Sequence, residues 1–183
     1  FGLRIAVHCC DSPSDGCRHD FPFSLEPRNT SGFEFGLQVI DDLLIWLLDL
    51  PHQPYKQHQI QLITSLQASR PFKFAAGEIE HIFINLLGNA VDALKEHPIE
   101  ERRISISSWQ TAEWTHVRIE DNGPGISLGL REKIFELSET SKPDGMGLGL
   151  WLARYLAERN GGELRLEVSS ESGSSFELKL PMN

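Results

Sequence analysis

Residues 77–97 constrain this chain more than any other segment. Ile79, Ile82, Phe83, Leu86, Leu87, Ala90 and Leu94 recur at three- and four-residue intervals, which predicts a long helix with one apolar face. Such a helix is stable only when that face is covered. The flanking segments supply the cover. Arg103–Trp109 and Trp114–Glu120 alternate in hydropathy across a short polar turn and predict a hairpin. Glu163–Val168 and Ser175–Leu180 predict a second, turned at Glu171-Ser172-Gly173. A further strand is expected over 58–66. Further helices are expected over 37–49, stopped by Pro51, and over 148–159, stopped by Asn160-Gly161-Gly162.

Alternation means that each strand buries one side and exposes the other. Three helices and five such strands predict an α/β fold, a two-layer sandwich. Residues 37–183 are expected to form this domain. Residues 1–36, with their turn-forming run Cys10–Cys17 and Pro22, Pro27 and Gly32, are expected to be an irregular arm or the tail of a preceding domain.

The net charge of −9 offers no basic block for nucleic acid. The longest apolar run, Leu43–Leu48, is far short of the ~20 residues that cross a bilayer. Cys9, Cys10 and Cys17 are odd in number and match no metal-binding spacing, so free thiols in a reducing, cytoplasmic setting are expected. A chain that starts with Phe1 and shows no signal peptide reads as a fragment. A membrane anchor elsewhere in the full protein, with this fragment on its cytoplasmic side, stays open.

Three features point to chemistry. On the 77–97 helix, His81, Asn85, Asn89, Asp92 and Glu96 form one polar stripe. Asparagine costs roughly half a kcal/mol relative to alanine inside a helix. The stripe is either a plain solvated face or a set of amide ligands suited to Mg²⁺. Next, Asp121-Asn122-Gly123-Pro124-Gly125-Ile126 follows a strand and is either an ordinary turn or a place of close backbone approach. Finally, Gly145-Met146-Gly147-Leu148-Gly149-Leu150 runs into a helix, where free amides and the helix N-terminus suit an anion. It matches neither the Rossmann fingerprint nor the P-loop.

In this order, the three segments resemble the N box and the two glycine boxes of the histidine kinase catalytic domain. That domain is a branch of the superfamily of gyrase, heat-shock chaperone and mismatch-repair ATPases. The resemblance covers about 37–181. It implies the Bergerat-type ATP-binding fold, with a mixed, mostly antiparallel sheet and helices on one face, and ATP and Mg²⁺ as cofactors. It implies Asn89 as the metal ligand, with Asn85 near the phosphates and Asp92 on the same site face. Asp121 then meets the adenine amino group, with Gly123, Gly125 and Ile126 beside the base. Gly145, Gly147, Leu148, Gly149 and Leu150 approach the phosphates, and 127–146 form a lid. Asn85, Asn89 and Lys142 are the expected catalytic residues; Lys142 is otherwise an ordinary surface lysine.

One departure stands out. Ile134-Phe135-Glu136 is followed by Leu137-Ser138-Glu139, where the family commonly carries a proline and two phenylalanines. An acceptor histidine is also expected outside the chain, since Pro22 and Pro27 break any helix around His19. The resemblance therefore implies an ATP-dependent transferase of a two-component phosphorelay. Its partners would be a histidine-bearing dimerisation domain and a response regulator. A nucleotide-binding regulatory module and an anti-sigma-type serine kinase share these motifs. Hydrolysis is disfavoured, because the gyrase branch places a glutamate base where this chain has Asn85.

Overall fold

The computed structural model describes residues 37–50, 54–137 and 147–182. The proposed arm 1–36, with its cysteines and His19, lies outside the described residues, as do Lys142 and Gly145. In chain order the elements are β1 (Leu37–Gln38), α1 (Ile40–Asp49), α2 (Pro54–Gln57), β2 (Gln61–Leu66), β3 (Phe72–Lys73) and α3 (Ala76–Glu96). They continue with β4 (Arg103–Gln110), β5 (Trp114–Asp121), α4 (Leu128–Arg131), α5 (Gly149–Arg159), β6 (Glu163–Ser170) and β7 (Gly173–Pro181).

Five strands form one sheet in the order β2-β4-β5-β7-β6. Only β2–β4 is parallel, and the crossover that a parallel pair requires contains α3. The inward residues Ile104, Ile106, Val117, Ile119, Phe176 and Leu178 meet the apolar face of α3 and the Ala153, Leu156 and Ala157 face of α5. Full burial of such a side chain contributes roughly 1.5–3 kcal/mol. Seven of them on α3 easily outweigh the helix cost of two asparagines. The two-layer sandwich with a mixed sheet is therefore as expected.

Two local differences have clear causes. Leu37 and Gln38 are not helical but pair antiparallel with Lys73 and Phe72, where Phe72 is itself buried against Phe74. The strand expected from residue 58 begins at Gln61. Ahead of it, Tyr55 is buried, its hydroxyl donates to the Leu48 carbonyl, and its own carbonyl accepts from Ile60 N–H at 3.1 Å. These contacts fold 54–57 into a helical turn.

Asp41, in the first turn of α1, is buried and accepts hydrogen bonds from Ala68 N–H (2.7 Å) and the Ser108 hydroxyl. It ties α1 to the sheet, and its burial pushes the carboxyl pKa up against the pull of those two donors.

Helices α3 and α5 run antiparallel and are keyed at both ends. At one end Asn160 Nδ2 donates to Glu78 Oε2 (2.8 Å) and Asn160 Oδ1 accepts from Ala75 N–H (3.3 Å). At the other end Gly149 lies against Asn85, whose Oδ1 would stand 2.8 Å from any Cβ at position 149. The C-terminus of α5 closes as the Asn160-Gly161-Gly162 signal predicts. Gly162 N–H bonds Ala157 O and Gly161 N–H bonds Glu158 O, both at 2.9 Å.

Candidate functional site

The buried stripe of α3 leaves Asn85, Asn89 and Asp92 half-buried along one side of the helix. Asn85 Nδ2 donates to the His81 carbonyl one turn back at 2.8 Å, which fixes the amide and turns its oxygen toward Gly149. Asp92 pairs with Lys95 at 3.0 Å.

The segment after β5 meets the far end of the same helix. Gly123 is buried, and a Cβ there would stand 3.4 Å from Ala93. From Ala93 back to Asn85 is just over two helical turns, roughly 12 Å at 1.5 Å per residue. Asn89 lies midway. The C-terminal half of α3 thus carries on one side the Asp121 loop near its end, the start of α5 at mid-helix, and an amide between them. That spacing is on the order of the length of a nucleoside triphosphate.

Asp121 closes the end of the groove nearest Ala93. Its carboxylate accepts from Gly123 N–H at 2.8 Å and from the Ser174 backbone N–H. Burial raises its pKa, and the backbone amides of Gly123, Ser174 and Asp121 itself pull the other way. Ser174 enters this site through register, since β5 and β7 pair Asp121 directly with Ser174. The sequence offers no sign of that pairing beyond the hairpin turn that precedes it.

The loop from Gly123 to Ile126 rests on the β6–β7 hairpin. Gly125 has φ +71° and Gly173 φ +128°. A Cβ on Gly125 would run into the Ser170 carbonyl, and one on Gly173 into the Asp121 carbonyl. Gly173→Ala is therefore expected to lower stability by roughly 3–5 kcal/mol, combining the backbone conformation with the clash. Urea unfolding would measure it; a midpoint equal to that of the unmodified chain would contradict this packing.

At the other end, α5 begins at Gly149 with Leu148 as its N-cap and no side-chain cap. Among the described residues no side chain caps its first amides, and a helix start of this kind suits phosphate. Gly147 has φ +65° just before it, Leu148 is exposed, and Leu150 packs on the core. Gly145 and Lys142 fall outside the described residues, so their expected approach to the phosphates has no counterpart here.

Of the expected lid, 127–137 are described. Arg131 Nε donates to the Ile126 carbonyl at 2.8 Å, and the Phe135 ring meets Phe176 edge-on at 6.3 Å. Leu128 and Leu137 stay exposed. A cavity of about 430 Å³ opens between Arg131, Phe135, Arg154 and β6. Neither Asp121 nor the α3 asparagines line it, although Ser169 at the end of β6 does.

Among the described residues no cluster of three or more histidine, cysteine, aspartate or glutamate side chains is placed to hold a metal ion. An amide oxygen fits Mg²⁺ as one protein ligand among waters and phosphate oxygens, with the negative charge coming from the nucleotide. No helix among the described residues is long and apolar enough to cross a membrane.

Comparison with known proteins agrees with this fold. The family model for "Histidine kinase-, DNA gyrase B-, and HSP90-like ATPase" matches residues 75–183. The sensor protein TdiS of Thauera aromatica is 33% identical over 98% of this chain, which spans 33% of that protein. The signal transduction histidine-protein kinase AtoS of Escherichia coli is 36% identical over 57% of the chain, and the match spans 17% of that kinase. This chain thus spans about a third or less of these relatives. The nucleotide-free catalytic domain of histidine kinase ThkA superposes with a TM-score of 0.70 at 26% identity, over 81% of this chain and 96% of that one. Full-length ShkA in complex with AMPPNP, at 21% identity and a TM-score of 0.70 over 82% of this chain and 31% of its own, shares the fold.

Proposed function

Because this chain belongs to the histidine kinase-, DNA gyrase B- and HSP90-like ATPase family, we propose that its cleft holds Mg²⁺-ATP and delivers the γ-phosphoryl group to a histidine on a separate helical domain. The observation that carries this is the α3 face with the Asp121 loop near the end of the helix, the start of α5, without a side-chain cap among the described residues, at Asn85, and Asn89 between them. The adenine amino group would donate to Asp121. Asn85 and the first amides of α5 would hold the phosphate chain, and Asn89 would meet the ion. Mg²⁺ in that position neutralises charge on the transferring phosphoryl group. Gly145 and Lys142 are proposed to complete the phosphate contacts.

The chemistry of Asn85 favours transfer over hydrolysis. Hydrolysis needs a base to take a proton from water, and an amide cannot take it. The outer surface beside the phosphate end also favours a macromolecular acceptor. Ile84, Leu148, Trp151 and Tyr155 are exposed there, and the two aromatic rings stack at 5.7 Å. An apolar cluster of this kind suits a helix packed across it. The relatives are sensor kinases, which supports a histidine-bearing dimerisation domain as the acceptor and a response regulator downstream. The cytoplasmic side of a sensor is the proposed place of work.

Incubation with γ-labelled ATP, Mg²⁺ and an isolated histidine-bearing dimerisation domain tests this. The expected label is acid-labile, alkali-stable and confined to the added domain, with none on this chain alone. Acid-stable label would mean a serine kinase. Binding without transfer would mean a nucleotide-sensing module.

A further inference from the structure

From a β-bulge in β6 we infer that Ser169 is a positioning residue that holds the Asp121–Ile126 loop in register with the base end of the nucleotide cleft; this rests on the nucleotide-binding reading above.

Residues directly paired across a sheet share a face, and faces alternate along each strand. Leu166 pairs with Phe176, so it faces the helices. Plain alternation would then send Val168 inward and Ser169 outward. The register instead slips between Leu166 and Val168, after which Val168 pairs with Ser175 and Ser169 with Ser174. Val168 is 61% exposed as a result. Ser169 joins the inner face beside Ser174, and Ser174 is itself paired with Asp121. One extra residue in an outer strand thus builds a polar row, Asp121–Ser174–Ser169, across three strands. Bulges re-aim side chains in this manner beside functional sites.

The re-aimed hydroxyl has defined partners. Ser169 Oγ accepts from Ile126 N–H at 2.6 Å and lies 3.3 Å from Ser174 Oγ. Ile126 ends the loop that Asp121 begins, so both ends of that loop are fixed to the same row. Gly125, whose α-carbon side abuts the Ser170 carbonyl, leaves the loop no room to settle further onto the hairpin. Without the hydroxyl, Ile126 N–H loses its acceptor and the backbone beside the base is free to shift. The position is also specific in chemistry. Alanine supplies no acceptor, whereas threonine keeps the oxygen and suits a strand.

The consequence is confined to the base end, which distinguishes it from the metal. Calorimetric titration of the chain is expected to give about tenfold weaker binding of both ATP and ADP to Ser169→Ala, with Mg²⁺ or with EDTA alike. Ser169→Thr is expected to return within about twofold of the unmodified chain. Amide hydrogen exchange at Ile126, measured without nucleotide, is expected to quicken in Ser169→Ala and to recover in Ser169→Thr. Unchanged affinity in Ser169→Ala, or a loss that threonine fails to restore, would overturn the assignment. The exchange arm needs no ligand. Failure of the unmodified chain to bind ATP would therefore strike the nucleotide proposal alone, and unchanged Ile126 exchange would strike Ser169 alone.

Discussion

Asn89→Ala is expected to leave a folded chain whose affinity for ATP in Mg²⁺ falls on the order of 100-fold, the scale of losing a contact to a charged centre. In EDTA the same substitution is expected to change affinity by no more than a few-fold. The contrast follows from the position of the side chain. Asn89 lies midway along the polar side of α3, while the apolar face that holds α3 in place is formed by other residues. Alanine has the higher helix propensity, so the helix itself gains slightly. A structural asparagine would behave differently, because its removal would weaken binding by the same factor with and without the ion. Phosphoryl transfer to an added acceptor domain should fall at least as far as Mg²⁺-dependent binding.

The second large effect concerns the choice of base. In the proposed binding mode the Asp121 carboxylate would accept from the adenine amino group, but would face a carbonyl oxygen if guanine took its place. Hydrogen bonds to charged groups contribute roughly 1.5–3 kcal/mol, about 10- to 150-fold in affinity. ATP should therefore outcompete GTP by at least tenfold. Asp121→Ala is expected to remove most of that margin by weakening ATP, and Asp121→Asn to narrow it further, since an amide also donates. A competition titration in which the mutants keep the original ATP/GTP ratio would reduce Asp121 to a cap on the Gly123 turn.

Acid adds an independent check. Burial raises the Asp121 pKa above its ordinary value, so as pH falls its proton arrives earlier than on an exposed aspartate. Protonation weakens the acceptor and adds an O–H donor that can serve a guanine carbonyl, so the ATP preference should fade in that window. Stability moves the other way. The ionised carboxylate is disfavoured in the folded chain, so its destabilising effect is full above the raised pKa and disappears below the unfolded value. Asp121→Asn should lack the change in base preference and keep only the part of the stability response that other buried carboxyls such as Asp41 supply.

Much of this was legible in the sequence, for reasons that differ by element. The α3 helix and both hairpins follow from periodicity, because their apolar residues have a single neighbouring layer to bury against. The stop of α5 follows from its glycine pair. The asparagines of α3 and the loop at Asp121 were visible as departures from what a solvated helix or a plain strand end requires. What periodicity cannot carry is information that resides in pairing. The strand β1 exists because Phe72 and Lys73 are beside it. Ser174 acquires its role only through register with Asp121. Ser169 runs against its own strand's alternation, because the bulge is invisible until the partner strand is known.

The strand order also bears on how the cleft comes into being. The β4–β5 and β6–β7 hairpins join neighbours in the chain, whereas β5–β7 and β2–β4 unite segments far apart, and such distant pairings close slowly. Asp121 belongs to the first hairpin, Ser169 and Gly173 to the second, and Asn85 and Asn89 to a helix that precedes both. No half of the molecule contains a cleft. A ligand held there recognises only the completed sheet and adds about 2.7 kcal/mol to its stability at a hundredfold excess over Kd. Occupancy would thus act as a proofreader of assembly, favouring the fully paired sheet over any state in which β5–β7 or β2–β4 has opened.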